Sequence, residues 1–270
     1  MKRISFAMIL ALMAGPLEAQ STPYYIMSGD AGRGFIIQGG VVQSTFALPR
    51  PNAISLYAPR FDASGSTFLV SNLDGSQAVE FNANGTPTGV VFTNSGGRLQ
   101  LLDGGTDGVF TYAVRFGSGI GDGLYRGDMT FGGLTRISSF GNSGVTFASS
   151  LGSVFTLDVG GFLYQMTQTG TLLNTFQTGV TTPAALAYEA SSNSLWFAAS
   201  GTNQVYNYSL TGQRLNTLAV AGLGGNFFGG EMPGTFSTTI PEPASLVLVG
   251  TGLIGVFGAV RWRRKAARTP

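Results

Sequence analysis

Residues 164–176 read YQMTQTGTLLNTF, and residues 206–218 read YNYSLTGQRLNTL. The two stretches align without a gap at a shift of 42 residues, sharing Tyr, Thr-Gly and Leu-Asn-Thr. A shift of 127, about three such periods, brings in an earlier copy in which Phe81 falls on Tyr208, Asn84 on Thr211 and Gly85 on Gly212. Recurrence at a fixed period means that the chain is built from repeated supersecondary units, each covering the apolar face of its neighbour.

The segments before these turns repeat as well. FDASGSTFLVS, from Phe61, matches YEASSNSLWFAAS, from Tyr188, and weaker copies start at Leu102 (LDGGTDGVFTYAV) and Phe147 (FASSLGSVFTLDV). Starts at 61, 102, 147 and 188 lie 41, 45 and 41 residues apart, the length of a four-stranded propeller blade. Asn84-Gly85, Thr169-Gly170 and Thr211-Gly212 each separate two apolar runs, where glycine accepts the positive φ of a tight hairpin. Strand alternation puts Phe81, Tyr164 with Met166, and Tyr206 with Tyr208 on one face, as packing between sheets requires. The repeat resembles NHL-type and related six-bladed propeller units over roughly residues 51–221, the unit at 102–140 fitting least well.

The ends of the body are complementary. Residues 24–27 and 35–46 read as strands of a blade that lacks its start, and residues 226–238 as a start that lacks its remainder. Joining them completes a blade and removes two open sheet edges. The expectation is an all-β propeller of about five four-stranded blades, or six if the central stretch hides another, with residues 222–225 and 235–240 as linker.

Both termini carry addresses. Lys2 and Arg3 precede an apolar run at 4–14 and Leu17-Glu18-Ala19, which reads as a signal peptide over 1–19 cut by signal peptidase after Ala19. At the other end, Pro241, Glu242 and Pro243 precede an uncharged run at 244–260 and a basic cluster of Arg261, Arg263, Arg264 and Lys265 within the tail 261–270. As a helix, that run reaches roughly 25 Å, at the short end of what crosses a bilayer. The basic cluster holds its C-terminal side in the cytoplasm, and Trp262 sits where an interfacial anchor belongs. Order, spacing and position resemble the PEP-CTERM sorting signal, here over 239–265. That resemblance implies an exosortase-type enzyme that cuts near Pro241, Glu242 and Pro243 a precursor first held in the membrane. It also implies a bacterium that makes exopolysaccharide, which thereby becomes an expected partner. A plain C-terminal anchor is the competing reading.

The body, residues 20–238, differs in charge from its tags. Between residues 20 and 240 there are eight arginines, no lysine and eleven acids, a net charge of −3, so the pI of about 9.0 belongs to the termini. This argues against a nucleic-acid partner, which needs a basic face on the folded domain. The chain has no Cys and no His, which excludes disulfides, Ser-His-Asp and Cys-His catalysis and the usual zinc and copper sites. No cofactor is expected.

The remaining chemistry-bearing residues are acids. Asp103 and Asp107 lie in DGGTDG, Asp122 and Asp128 in GIGDGLYRGD, and Asp62 and Glu189 occupy equivalent repeat positions. Two carboxyls of split pKa suffice for a glycosidase, and Asp beside Gly suits a calcium loop, but ordinary Asx turns account for these loops. Arg126-Gly127-Asp128 reads as a turn and Trp196, inside LWFAA, as core. The expected role is therefore non-enzymatic binding or structure in an exported envelope or matrix protein. A secreted propeller that binds or cleaves glycans through its carboxylates is the alternative.

Overall fold

The computed structural model describes residues 20–234 except 30–31, 51–55, 63, 96–98 and 117–120. Two units divide the chain, Met1–Phe236 and Ser237–Pro270, and the described residues fall in the first. The expected signal helix with Ala19, the span 244–260, Pro241, Glu242 and Pro243, and Arg261, Arg263, Arg264 and Lys265 lie outside them.

Twenty strands among the described residues form five antiparallel four-stranded sheets, so the ring has five blades and the 102–140 stretch hides no sixth. The second blade is β4 (Leu56–Phe61), β5 (Thr67–Asn72), β6 (Gln77–Asn82) and β7 (Pro87–Thr93). The third is β8 (Leu101–Thr106), β9 (Thr111–Arg115), β10 (Gly123–Gly127) and β11 (Thr135–Ser138). The fourth runs β12 (Gly144–Ala148), β13 (Ser153–Leu157), β14 (Phe162–Met166), β15 (Leu172–Gln177), and the fifth β16 (Pro183–Glu189), β17 (Ser194–Ala199), β18 (Gln204–Ser209), β19 (Arg214–Ala219). The first blade joins both ends of the body: β1 (Tyr24–Ser28), β2 (Arg33–Gln38) and β3 (Val41–Ala47) take β20 (Phe227–Glu231) as their innermost strand. Tyr25 pairs with Glu231 and Ile26 with Gly230, closing the ring as the complementary ends required. Residues 222–225, expected as linker, instead lead from β19 into β20 inside the body.

The repeated stretch occupies equivalent places. Tyr164 lies in β14 and Tyr206 in β18, each the third strand of its blade. In three blades the following hairpin closes alike, Gly85 N–H donating to Asn82 O, Gly170 N–H to Thr167 O and Gly212 N–H to Ser209 O, with φ of 83°, 86° and 80°. A Cβ on any of the three would strike the outer strand region of the preceding blade, at Phe46, Ile137 and Phe176 respectively. Glycine is thus required by the turn and by the blade contact together. On adjacent strands of one blade, Phe81 stacks on Phe68, and in another blade Tyr208 stacks on Phe197, each pair buried in its own apolar cluster. Trp196 is buried in a third, as core.

The N-terminal segment is tied to the fifth blade. Glu189 Oε1 accepts the amide N–H groups of Ser21 and Thr22 at 2.9 Å each, and Oε2 accepts the Ser192 hydroxyl at 2.7 Å and Trp196 Nε1–H at 2.9 Å. Against the desolvation that burial imposes, these donors hold the Glu189 carboxyl below the usual range.

Candidate functional site

Five inner strands, β4, β8, β12, β16 and β20, surround the propeller axis and touch one another around the ring. A five-fold axis is narrow, and the sequence meets it with small residues. A Cβ on Gly104 would lie 2.7 Å from Pro59 O, one on Gly230 would lie 2.6 Å from Ala185 Cβ, and one on Gly229 would overlap Tyr57 O. The ladders slip at Tyr57, at Leu102 and at Ala185–Leu186, and again between Phe227 and Gly230. Such bulges release amides from strand pairing and turn them elsewhere.

Asp103 gathers them. Its Oδ1 accepts Gly104 N–H at 2.8 Å and Gly230 N–H at 2.9 Å, while Oδ2 accepts Val145 N–H at 2.9 Å and Leu186 N–H at 3.0 Å. One fully buried carboxyl therefore joins the inner strands of four blades. Glu231 lies beside it, with Oε1 accepting Met232 N–H at 3.0 Å and the Thr146 hydroxyl at 3.2 Å. Burial pushes both carboxyls upward, and on Glu231 the charge of Asp103 adds to it. Four amide donors work against that rise on Asp103, as the Met232 and Tyr188 amides and the Thr146 hydroxyl do on Glu231. The Tyr24 hydroxyl, donated to Ala185 O, is raised by burial and by both acids. With its acceptor directions filled by amides and no exposed surface, Asp103 has no lone pair left for a substrate proton.

This corrects the reading of Asp103 as a turn residue. Pairing of Thr106 with Thr111 and of Glu189 with Ser194 makes Gly105 the counterpart of Tyr188, three positions later than the repeat start at Leu102. Asp107 then takes the turn, accepting Val109 N–H at 2.8 Å and Phe110 N–H at 2.7 Å. Asp62 and Asp128 are Asx turns too, the first accepting Thr67 N–H and the second Thr130 and Gly132 N–H. Asp122 stands just before β10, and Asp62 and Glu189 are equivalent residues on separate blades. Among the described residues no three acids gather as a metal cluster. Glu231 carried no signal of its own, because Gly-Gly-Glu resembles another turn.

The two ends of the axis differ. Beyond Glu231 the space among Phe61, Thr106, Thr146 and Tyr188 amounts to about 10 Å³. At the end where the inner strands begin, an apolar hollow of about 190 Å³ lies between Leu102, Phe116, Val159, Pro183, Phe227 and Phe228, with the Ser143 hydroxyl in its wall. A larger open cleft, about 370 Å³, lies off the axis in the third blade, lined by Val109, Phe110, Arg126, Asp128, Gly133 and Thr135 among others. There the Arg126 guanidinium sits 4.6 Å over the Phe110 ring and donates to Gln168 O at 3.1 Å. Sequence reading reached Arg126 and Asp128 only as part of a turn, since Phe110 lies 16 residues away.

Residues 239–265 match the family described as the PEP-CTERM protein-sorting motif. The motif implies an exported, exosortase-sorted protein that begins as a membrane-anchored precursor. No curated protein matches the chain. Among solved structures, a chain of a nidogen/laminin complex superposes with a TM-score of 0.52 at 11% identity, covering 80% of this chain and 99% of that one. Glutaminyl cyclase of Myxococcus xanthus superposes with a TM-score of 0.50 at 15% identity, covering 65% of this chain and 75% of that one. At such identities the likeness shows fold alone.

Proposed function

We propose that this chain is an exported, non-enzymatic binding or structural protein of the bacterial envelope or extracellular matrix. Signal peptidase removes residues 1–19, the precursor is held in the membrane by 244–260, and an exosortase-type enzyme releases the body near Pro241, Glu242 and Pro243. The sorting motif beside a five-bladed body carries this reading. The filled axis supports a non-catalytic role: Asp103 and Glu231 are both turned inward, yet a glycosidase pair must reach the scissile bond, and these two are buried among amides and a threonine.

A glycan-binding role is the second reading, favoured by the open cleft at Arg126 and Phe110. The sorting half is tested by replacing Pro241, Glu242 and Pro243 with alanine and following the chain by intact-mass spectrometry. The wild type is expected as a body shortened at both ends, and the variant as a full-length C-terminus in the membrane fraction. Equal release of both would refute exosortase processing.

A further inference from the structure

We infer that the cleft of the third blade is a binding site for a carboxylated sugar, such as a hexuronate unit of an acidic polysaccharide. This deepens the glycan-binding reading and rests on the export that goes with it.

The turn between β8 and β9 lifts Val109 and Phe110 into solvent, 66% and 38% exposed, as an apolar shelf. Arg126, at the end of β10, is fixed against that shelf. It stacks on Phe110, donates to Gln168 O on the next blade, and lies near the Tyr112 hydroxyl, which itself donates to Asp107 Oδ2 at 2.7 Å. A guanidinium has five N–H donors in a planar fork, and Gln168 O takes one of them, so four remain. No ion pair joins Arg126 to a carboxylate among the described residues, although the body carries an excess of acid. A held, part-buried cation without a partner anion, facing an open cleft, matches a carboxylate in charge and in fork geometry.

The opposite wall supplies the hydroxyl recognition. Asp128 is an exposed residue whose Oδ1 takes Thr130 N–H, the Thr130 hydroxyl and Gly132 N–H at 2.7–2.8 Å, which leaves Oδ2 as an acceptor. A Cβ on Gly132 would collide with the Asp128 carboxylate, and one on Gly133 would meet nothing within 4 Å, so this wall stays low and open. Guanidinium for a carboxylate, aspartate oxygen for ring hydroxyls and an aromatic shelf for the C–H face of the ring form one complementary set. A neutral sugar would leave Arg126 unpaired, and a simple carboxylic acid would leave Asp128 without a donor. The volume, about 370 Å³, falls at the lower end of ordinary ligand pockets.

The test is calorimetric titration of the full chain with trigalacturonate and with the neutral galactotriose, for wild type, R126Q, R126K and F110A. Trigalacturonate is expected to bind at least about tenfold more tightly than galactotriose, R126Q to remove that preference, and R126K to restore it only in part because an ammonium cannot make the fork. F110A, a change at an exposed ring that leaves Arg126 charged, is expected to weaken both sugars about tenfold. Equal binding of the two sugars, an acid preference that survives R126Q, or affinity indifferent to F110A would each overturn the site. Should the full chain bind neither sugar, the site falls and the export reading stands. Shortening of trigalacturonate would refute the non-enzymatic role instead.

Discussion

The Gly230 amide donates to Asp103 Oδ1 at 2.9 Å across 127 residues of sequence, joining the strand that closes the ring to a carboxyl on its axis. Ring closure and axis filling are thus one arrangement, since β20 brings in both the Gly230 amide and Glu231.

Replacing Asp103 with Asn keeps the shape but sets an NH2 against two backbone N–H groups. Two buried donors lose their acceptor, and the expected loss is about 3 kcal/mol or more in urea unfolding. Stability equal to wild type would mean that the axial carboxyl is dispensable.

Glu231 gives the fold a pH dependence of known sign. Its folded pKa is raised by burial and by Asp103, so above the ordinary value of 4.5 the unfolded chain ionises while the folded chain keeps the proton. Stability from this group is full below about pH 4.5 and is lost as pH rises toward the folded pKa. The E231Q variant lacks this loss and is expected to gain on wild type as pH rises above 4.5, read as thermal midpoints at successive pH values. Parallel curves would contradict the upward shift on Glu231.

Glu189 has the opposite sign. Its lowered pKa gives stability that is present above the ordinary carboxyl range and lost as pH falls through the folded value. E189A removes the acceptor for Ser21, Thr22 and Trp196, and is expected to cost about 1–3 kcal/mol. Hydrogen exchange should show rapid exchange at the Ser21 and Thr22 amides in the variant and protection in wild type.

Blade length and the equivalence of Tyr164 and Tyr206 were legible because outer hairpins repeat their turn chemistry, Asn-Gly or Thr-Gly ending the third strand wherever the pattern is clear, and closure between β1 and β20 because the two ends are complementary; the choice between five blades and six stayed open. The inner strands were not legible in the same way. On a narrow axis they carry Asp-Gly-Gly and Gly-Gly-Glu for close packing, and a sequence cannot distinguish those glycines from turn glycines. The error of three residues at Leu102 follows from that ambiguity, and with it the placing of Asp103 in a loop. Arg126 and Phe110 meet only because β9 and β10 are adjacent, a pairing the repeat alone left without side-chain detail.

The most direct measurement of the central claim, an exported body without catalytic chemistry, is product chromatography of acidic and neutral polysaccharides incubated with the full chain. The account predicts unchanged chain lengths at every pH from 4 to 8. Shortened products that disappear in a folded E231Q variant would contradict it, because they would make the buried axial pair an active site.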